Sequence, residues 1–129
     1  MAGSVAFVGD SVSLEAAVDL SALQFRFMLV SAALKVNKAT AATSTLLGIL
    51  QNKPLAAQGA LVKLMGGSKL EVDGAAGAIA AGDKLTSDAN GKGVVTTTNT
   101  HSVGAIALEA STADGDIISV IQVNYKFAG

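Results

Sequence analysis

The 129-residue chain has no cysteine, no tryptophan, one proline and one histidine, and its aromatic content is only 4%. Without cysteine there is no disulfide scaffold, no thiolate zinc site and no cysteine nucleophile. A single histidine, His101, excludes the usual multi-histidine metal centres. The aromatic residues are Phe7, Phe25, Phe27, Tyr125 and Phe127, so the core has to be built mainly from Val, Ile, Leu and Ala. A membrane-length apolar run is missing too, although mean hydropathy is +0.51. The longest stretch without charge, Gly93 to Leu108, is broken by Thr96, Thr97, Thr98, Asn99, Thr100 and His101. That is too polar for a hydrocarbon core of about 30 Å. The first basic side chain is Arg26, so the positive start of a secretory signal is absent as well. These absences lead to the expectation of one soluble domain, made in a cytoplasm, outside most enzyme classes.

Net charge is −1, which leaves no nucleic-acid footprint in the bulk charge. The distribution is less even than the sum. Residues 1–25 carry Asp10, Glu15 and Asp19 and no base. Residues 26–69 carry Arg26, Lys35, Lys38, Lys53, Lys63 and Lys69 and no acid. The remainder carries seven acids against Lys84, Lys92 and Lys126. Blocks of opposite sign suit head-to-tail contact between copies, or they mix when the strands interleave.

Period-2 patterning dominates the chain. Ser68–Asp73 alternates with Leu70 and Val72 inward, and Leu34–Lys38 does the same. Gln24–Val30 reads as a strand with Phe25, Phe27 and Leu29 on one side. In Ile117–Phe127, one face reads Ile121, Val123, Tyr125 and Phe127, and Gln122, Asn124 and Lys126 point the other way. Shorter apolar runs at Leu46–Leu50, Ala60–Met65, Val94–Thr98 and Val103–Leu108 fit strands buried on both faces. Gly66-Gly67 reads as a hairpin turn, and glycine turns are expected at Gly82, Gly91 and Gly115. Residues Ser13–Leu23 have the spacing of a short helix, and Ala39–Thr45 looks like an exposed loop. The expectation is an all-β fold, a small single-domain β-barrel or β-sandwich with glycine-rich turns. Residues 1–22 form an extended N-terminal arm with the short helix, and residues 23–129 the barrel. Residues 1–12 carry too little apolar mass to fold alone and need something to lie against.

No catalytic constellation emerges. His101 sits in a Thr/Asn/Ser-rich stretch with no positioned nucleophile and reads as a solvated loop residue. Asp114-Gly115-Asp116 lacks the further ligands of a calcium loop and reads as an acidic turn. Gly74-Ala-Ala-Gly77 lacks the dinucleotide pattern, and no Gly-Lys-Ser/Thr is present. No cofactor, metal or small-molecule substrate is expected.

From Gly48 onward the chain resembles the capsid decoration (cement) proteins of tailed bacteriophages. The resemblance lies in Gly48–Pro54, Val62–Leu70, Ala78–Lys92, Val103–Ala110 and Gly115–Val120, in the family's order, and weakly in Leu23–Phe27. It implies a small β-barrel or sandwich on the outer surface of the virion head, with the major capsid protein as partner. It also implies a homotrimer at local threefold positions that helps the expanded shell resist internal pressure, with no catalytic residues. An interface is expected to involve Phe7, Asp10, Glu15 and Asp19 from the acidic segment. Its basic side would be Arg26, Lys35, Lys38 and Lys53 of another copy. The alternative is a stand-alone β-barrel binding module, for example for surface carbohydrate. That reading favours exposed Trp or Tyr in a groove, and the chain has no Trp and one Tyr.

Overall fold

The computed structural model describes residues 6–129, with the strand at Ala6–Val8 given by its backbone alone. The strands among these residues are β1 (Ala6–Val8), β2 (Ser11–Ala16), β3 (Phe27–Ala32), β4 (Lys35–Lys38), β5 (Gly48–Leu50) and β6 (Gly59–Lys63). They continue as β7 (Gly66–Asp73), β8 (Lys84–Ser87), β9 (Gly93–Val95), β10 (Ser102–Ala107) and β11 (Asp114–Lys126). No helix occurs among the described residues. The fold is all-β.

Two closed sheets divide the strands at the Leu64-Met65 crossing. The first sheet has the order β1-β2-β4-β3-β5-β6, and β2 also pairs with β6. Glu15 of β2 lies between Lys35 of β4 and Gly59 of β6, so these strands form a ring with β1 added on the free part of the β2 edge. Inside it pack Val12, Ala16, Leu20, Met28, Val36, Leu50, Ala60 and Val62, with at least one residue from each ring strand. The second sheet is a closed barrel of order β10-β11-β7-β9-β8. Its core combines its own Leu70, Val72, Leu85, Ala105, Ile118 and Val120 with Phe27, Ala39, Leu46 and Ile49 from the first ring. Strands β3 and β5 therefore serve both cores, with Phe27 and Ile49 facing one and Met28 and Leu50 the other. A side chain such as Phe27, 1% exposed, contributes roughly 1.5–3 kcal/mol by burial.

The alternation in β7 is as expected, with Leu70 and Val72 fully buried. Positive φ at Gly82 and Gly91 matches the expected glycine turns, whereas Gly115, also at positive φ, sits at a bulge inside β11. Two expectations need correction. Residues Ser11–Ala16 form a strand where a helix was expected, because pairing with β4 and β6 outweighs a weak local helical pattern. The segment is thereby built into its own chain's sheet, and Leu20 beyond it is fully buried. Gly66-Gly67 does not turn a hairpin: β6 and β7 belong to different sheets, and these glycines begin β7. The loop after β4 is largely exposed, as expected, and it is also tied down. Ser102 N–H and Thr86 Oγ1 both donate to Ala42 O, at 2.7 and 3.0 Å, and Ser102 Oγ donates to Ser44 O. Asn124 Nδ2 donates to Leu46 O at 3.1 Å and Lys126 Nζ to Thr43 O at 3.2 Å. The loop is clamped across the second barrel, and Ala39 at its root is buried.

Candidate interaction surface

Strand β11 is apolar on both faces, and only one face can meet the barrel core. Ile118, Val120 and Gln122 point inward. Ile117 and Ile121 point outward and are 51% and 41% exposed, while Tyr125, 40% exposed, lies beyond a bulge and pairs with buried Val103. The sequence pattern separates the two faces without choosing the buried one. The even positions win because Ile118 and Val120 fill the second core beside Leu70 and Val72. The odd face is left as an apolar lane along the outside of the barrel.

The register extends the lane sideways. Ile121 stands opposite Ile106 of β10 on one side and Gly67 of β7 on the other. Leu108, 51% exposed, follows β10, and its N–H donates to Ser119 O at 2.9 Å. Lys69, opposite Ser119, donates to Ser119 Oγ at 2.9 Å, and Lys84 pairs in register with Ile106. At the far end Lys84 Nζ lies 5.9 Å from the Phe127 ring centroid. Glu109 borders the lane with its Oε2 accepting the Ser119 N–H at 2.7 Å. That bond holds its carboxyl below the usual glutamate range. Glu71 stands opposite Ile117, so Lys69 and Lys84 on this face are balanced by Glu71 and Glu109.

The residues expected at an interface sit mainly in the first ring, and several are matched within the chain. Lys63 Nζ lies 3.6 Å from Asp10 Oδ2, and Lys35 Nζ 3.4 Å from Glu15 Oε2. The acidic and basic blocks do meet, but inside one molecule. Asp19 Oδ1 accepts the Ser21 N–H at 2.9 Å, and hydrogen bonding by the Ser21 hydroxyl, then by that N–H, lowers its pKa. Arg26 pairs with Glu71, and Lys38 Nζ donates to Asn90 Oδ1 at 3.3 Å. Lys53 is exposed. Phe7 pairs through its backbone with Val12, and its side chain lies outside the described residues.

Polar groups elsewhere are committed to structure. His101 is half-buried, not solvated, with Nδ1 2.7 Å from Thr96 Oγ1. Lys126 Nζ donates to Ser102 Oγ at 2.8 Å while Ser102 donates to Ser44 O, so the hydroxyl proton points at a carbonyl and not at an amine base. Asp116 Oδ2 accepts from Ser111 Oγ at 2.7 Å, and Asp114 pairs with Lys92. Among the described residues no group of three or more His, Asp or Glu side chains is arranged to hold a metal ion.

A family model described as phage cement protein matches residues 24–123, from the turn before β3 to the outward part of β11. No curated protein sequence matches the chain. Among solved structures the chain is similar to the N base of the head fiber gp8.5 of bacteriophage phi29, with a TM-score of 0.68 and 16% identity. The likeness covers 92% of this chain and 98% of that one. At that identity the likeness concerns the fold. The family match runs through both closed sheets and spans most of the sequence, and the chain belongs to the phage cement protein family.

Proposed function

We propose that this protein binds the outer surface of an assembled phage head as a homotrimer at local threefold positions and stabilises the expanded shell. The observation that carries this reading is the family match over residues 24–123. The outward apolar lane supports it, because soluble monomers rarely leave such a strip uncovered without a partner. The physical mechanism is cross-linking. Once one arm of a trimer has docked on the major capsid protein, the other contacts become intramolecular, and modest interfaces sum to tight binding. A threefold assembly closes through heterologous contacts, one patch meeting a different patch on the next copy. No step in this mechanism requires a cofactor, a metal or a small-molecule substrate.

The test is co-sedimentation of the purified protein with heads that lack it, run beside retention on a glycan array, with molecular mass in solution and on the particle. Binding to heads with threefold density by cryo-EM is the expected outcome. Retention on glycans without head binding overturns it.

A further inference from the structure

We infer that one water molecule is bound at the seam between the two rings, held by Gln122 Oε1 and by the backbone of the bulge beside it. Gln122 belongs to β11 and is 7% exposed. Its Nε2 donates to Lys63 O of β6 at 2.8 Å, and only the NH₂ end of the amide can donate to a carbonyl, so its orientation is fixed. Oε1 is shielded and has no hydrogen-bond partner, alone among the buried side-chain nitrogens and oxygens of the described residues. Buried acceptors in folded proteins are nearly always satisfied, by protein or by ordered water.

Space and a second polar group lie next to it. A cavity of about 10 Å³ is lined by Gln122 and Val123 of β11, by Gly104 of β10, and by Phe27, Leu46 and Gly48 of the first ring. That volume admits a single water. The register explains why backbone is available there. Gln122 stands opposite Ala105 and Tyr125 opposite Val103, so Val123 and Asn124 together face Gly104. Two residues facing one is a bulge, which takes the extra residue out of the ladder. Pairing of β11 with β7 ends at Gln122, so Val123 has no register partner on either side. A water that donates one hydrogen to Gln122 Oε1 and also bonds the Val123 backbone satisfies both. No charged side chain lines the cavity, which argues against a metal cation in the same place. The water adds a polar link between the rings to those from Gln122 to Lys63 O and from Asn124 Nδ2 to Leu46 O.

The test is a crystal structure of the full chain at roughly 1.5 Å resolution, where ordered waters show although hydrogens do not. The expected result is a density peak about 2.7–3.0 Å from Gln122 Oε1 and within bonding distance of the Val123 backbone. Gln122→Met, of similar length but without the amide, is expected to lose that peak. A wild-type map with no peak overturns the inference, as does a Gln122 amide swung onto a protein donor. So does a peak that Gln122→Met leaves at full height, since Gln122 is then not what holds it. Contacts of about 2.3–2.6 Å from six or more oxygens mark a cation and overturn it as well. Should the variant not fold, the wild-type map decides alone.

Discussion

Arg26, at the entrance to β3 in the first ring, donates through Nε to Glu71 Oε1 on β7 of the second at 3.1 Å, with the two side chains only 16% and 17% exposed. Around this pair the rings are tied by backbone bonds from Glu71 N–H to Phe25 O at 2.7 Å and from Phe27 N–H to Gly91 O at 2.8 Å. Lys92 completes the network, 3.9 Å from Glu71 and 2.9 Å from Asp114.

Removing Glu71 leaves the shielded Arg26 charge unmatched, and removing Arg26 leaves Glu71 only its longer contact to Lys92. Arg26→Ala or Glu71→Gln is expected to lower unfolding free energy by about 1–3 kcal/mol, read by urea denaturation. A double-mutant cycle should give a coupling above about 0.5 kcal/mol. Additive single effects would mean that the pair does not join the rings.

Phe27 closes the second core by lying against Gly104 of β10. A Cβ at Gly104 would fall 2.6 Å from Phe27 Cε1 and 2.7 Å from Leu46 Cδ1. Gly104→Ala is therefore expected to destabilise by about 1–3 kcal/mol through overpacking. Phe27→Ala should cost about 3–5 kcal/mol. A thermal melt unchanged by Gly104→Ala would show that the ring can shift freely.

Thr100 is exposed and holds φ at +74°, a region costly for a β-branched residue. Its N–H donates to Phe127 O at 2.9 Å, so the turn is fixed in place. Thr100→Asn keeps that bond and tolerates the conformation. We expect a gain of about 0.5–1 kcal/mol in denaturant unfolding, and a loss would show that the threonine side chain contributes something the turn needs.

The pH dependence has two limbs. Glu109 is held below its ordinary value by the Ser119 N–H, so its contribution is present above about pH 4.5 and lost as pH falls through the lowered value. Glu109→Gln should make the acid limb of stability shallower. Lys92 is raised, first by its hydrogen bond to Asp114, so its contribution is present below about pH 10.5 and lost as pH climbs through the raised value. Asp114→Asn should lower stability below about pH 10.5 and make the alkaline limb shallower. Unfolding followed from pH 2 to 12 checks both.

Most strands were legible in the sequence because period-2 alternation is local. β4 lies within its expected segment, β7 contains Ser68–Asp73, and Gly82 and Gly91 carry the expected positive φ. Ring closure was not legible. The β2–β6 pairing joins Val12 to Val62 across fifty residues, and nothing in the Ser13–Leu23 spacing announces such a partner. The two faces of β11 were visible as residues, but not which of them is buried. With Ile117, Ile118, Val120 and Ile121 all aliphatic, alternation cannot choose the inner side, and the choice depends on what the neighbouring strands bring to the core. The Arg26–Glu71 pair left no local signal, because its members are 45 positions apart.

The division of the strands has a consequence for synthesis. Every strand of the first ring precedes Leu64, and every strand of the second follows Met65. On a ribosome the first ring has all its pairing partners before β7 emerges, since domains form N-terminal first. At that stage Phe27, Leu46 and Ile49 have no second core to enter and face water. The half-made protein is thus a closed ring with an uncovered apolar end, vulnerable to aggregation until the later strands arrive. Proteolysis of stalled nascent chains should find residues up to about Lys63 protected before β11 is made. The same window is when substitutions in β7 or β10 would lower yield without touching the first ring.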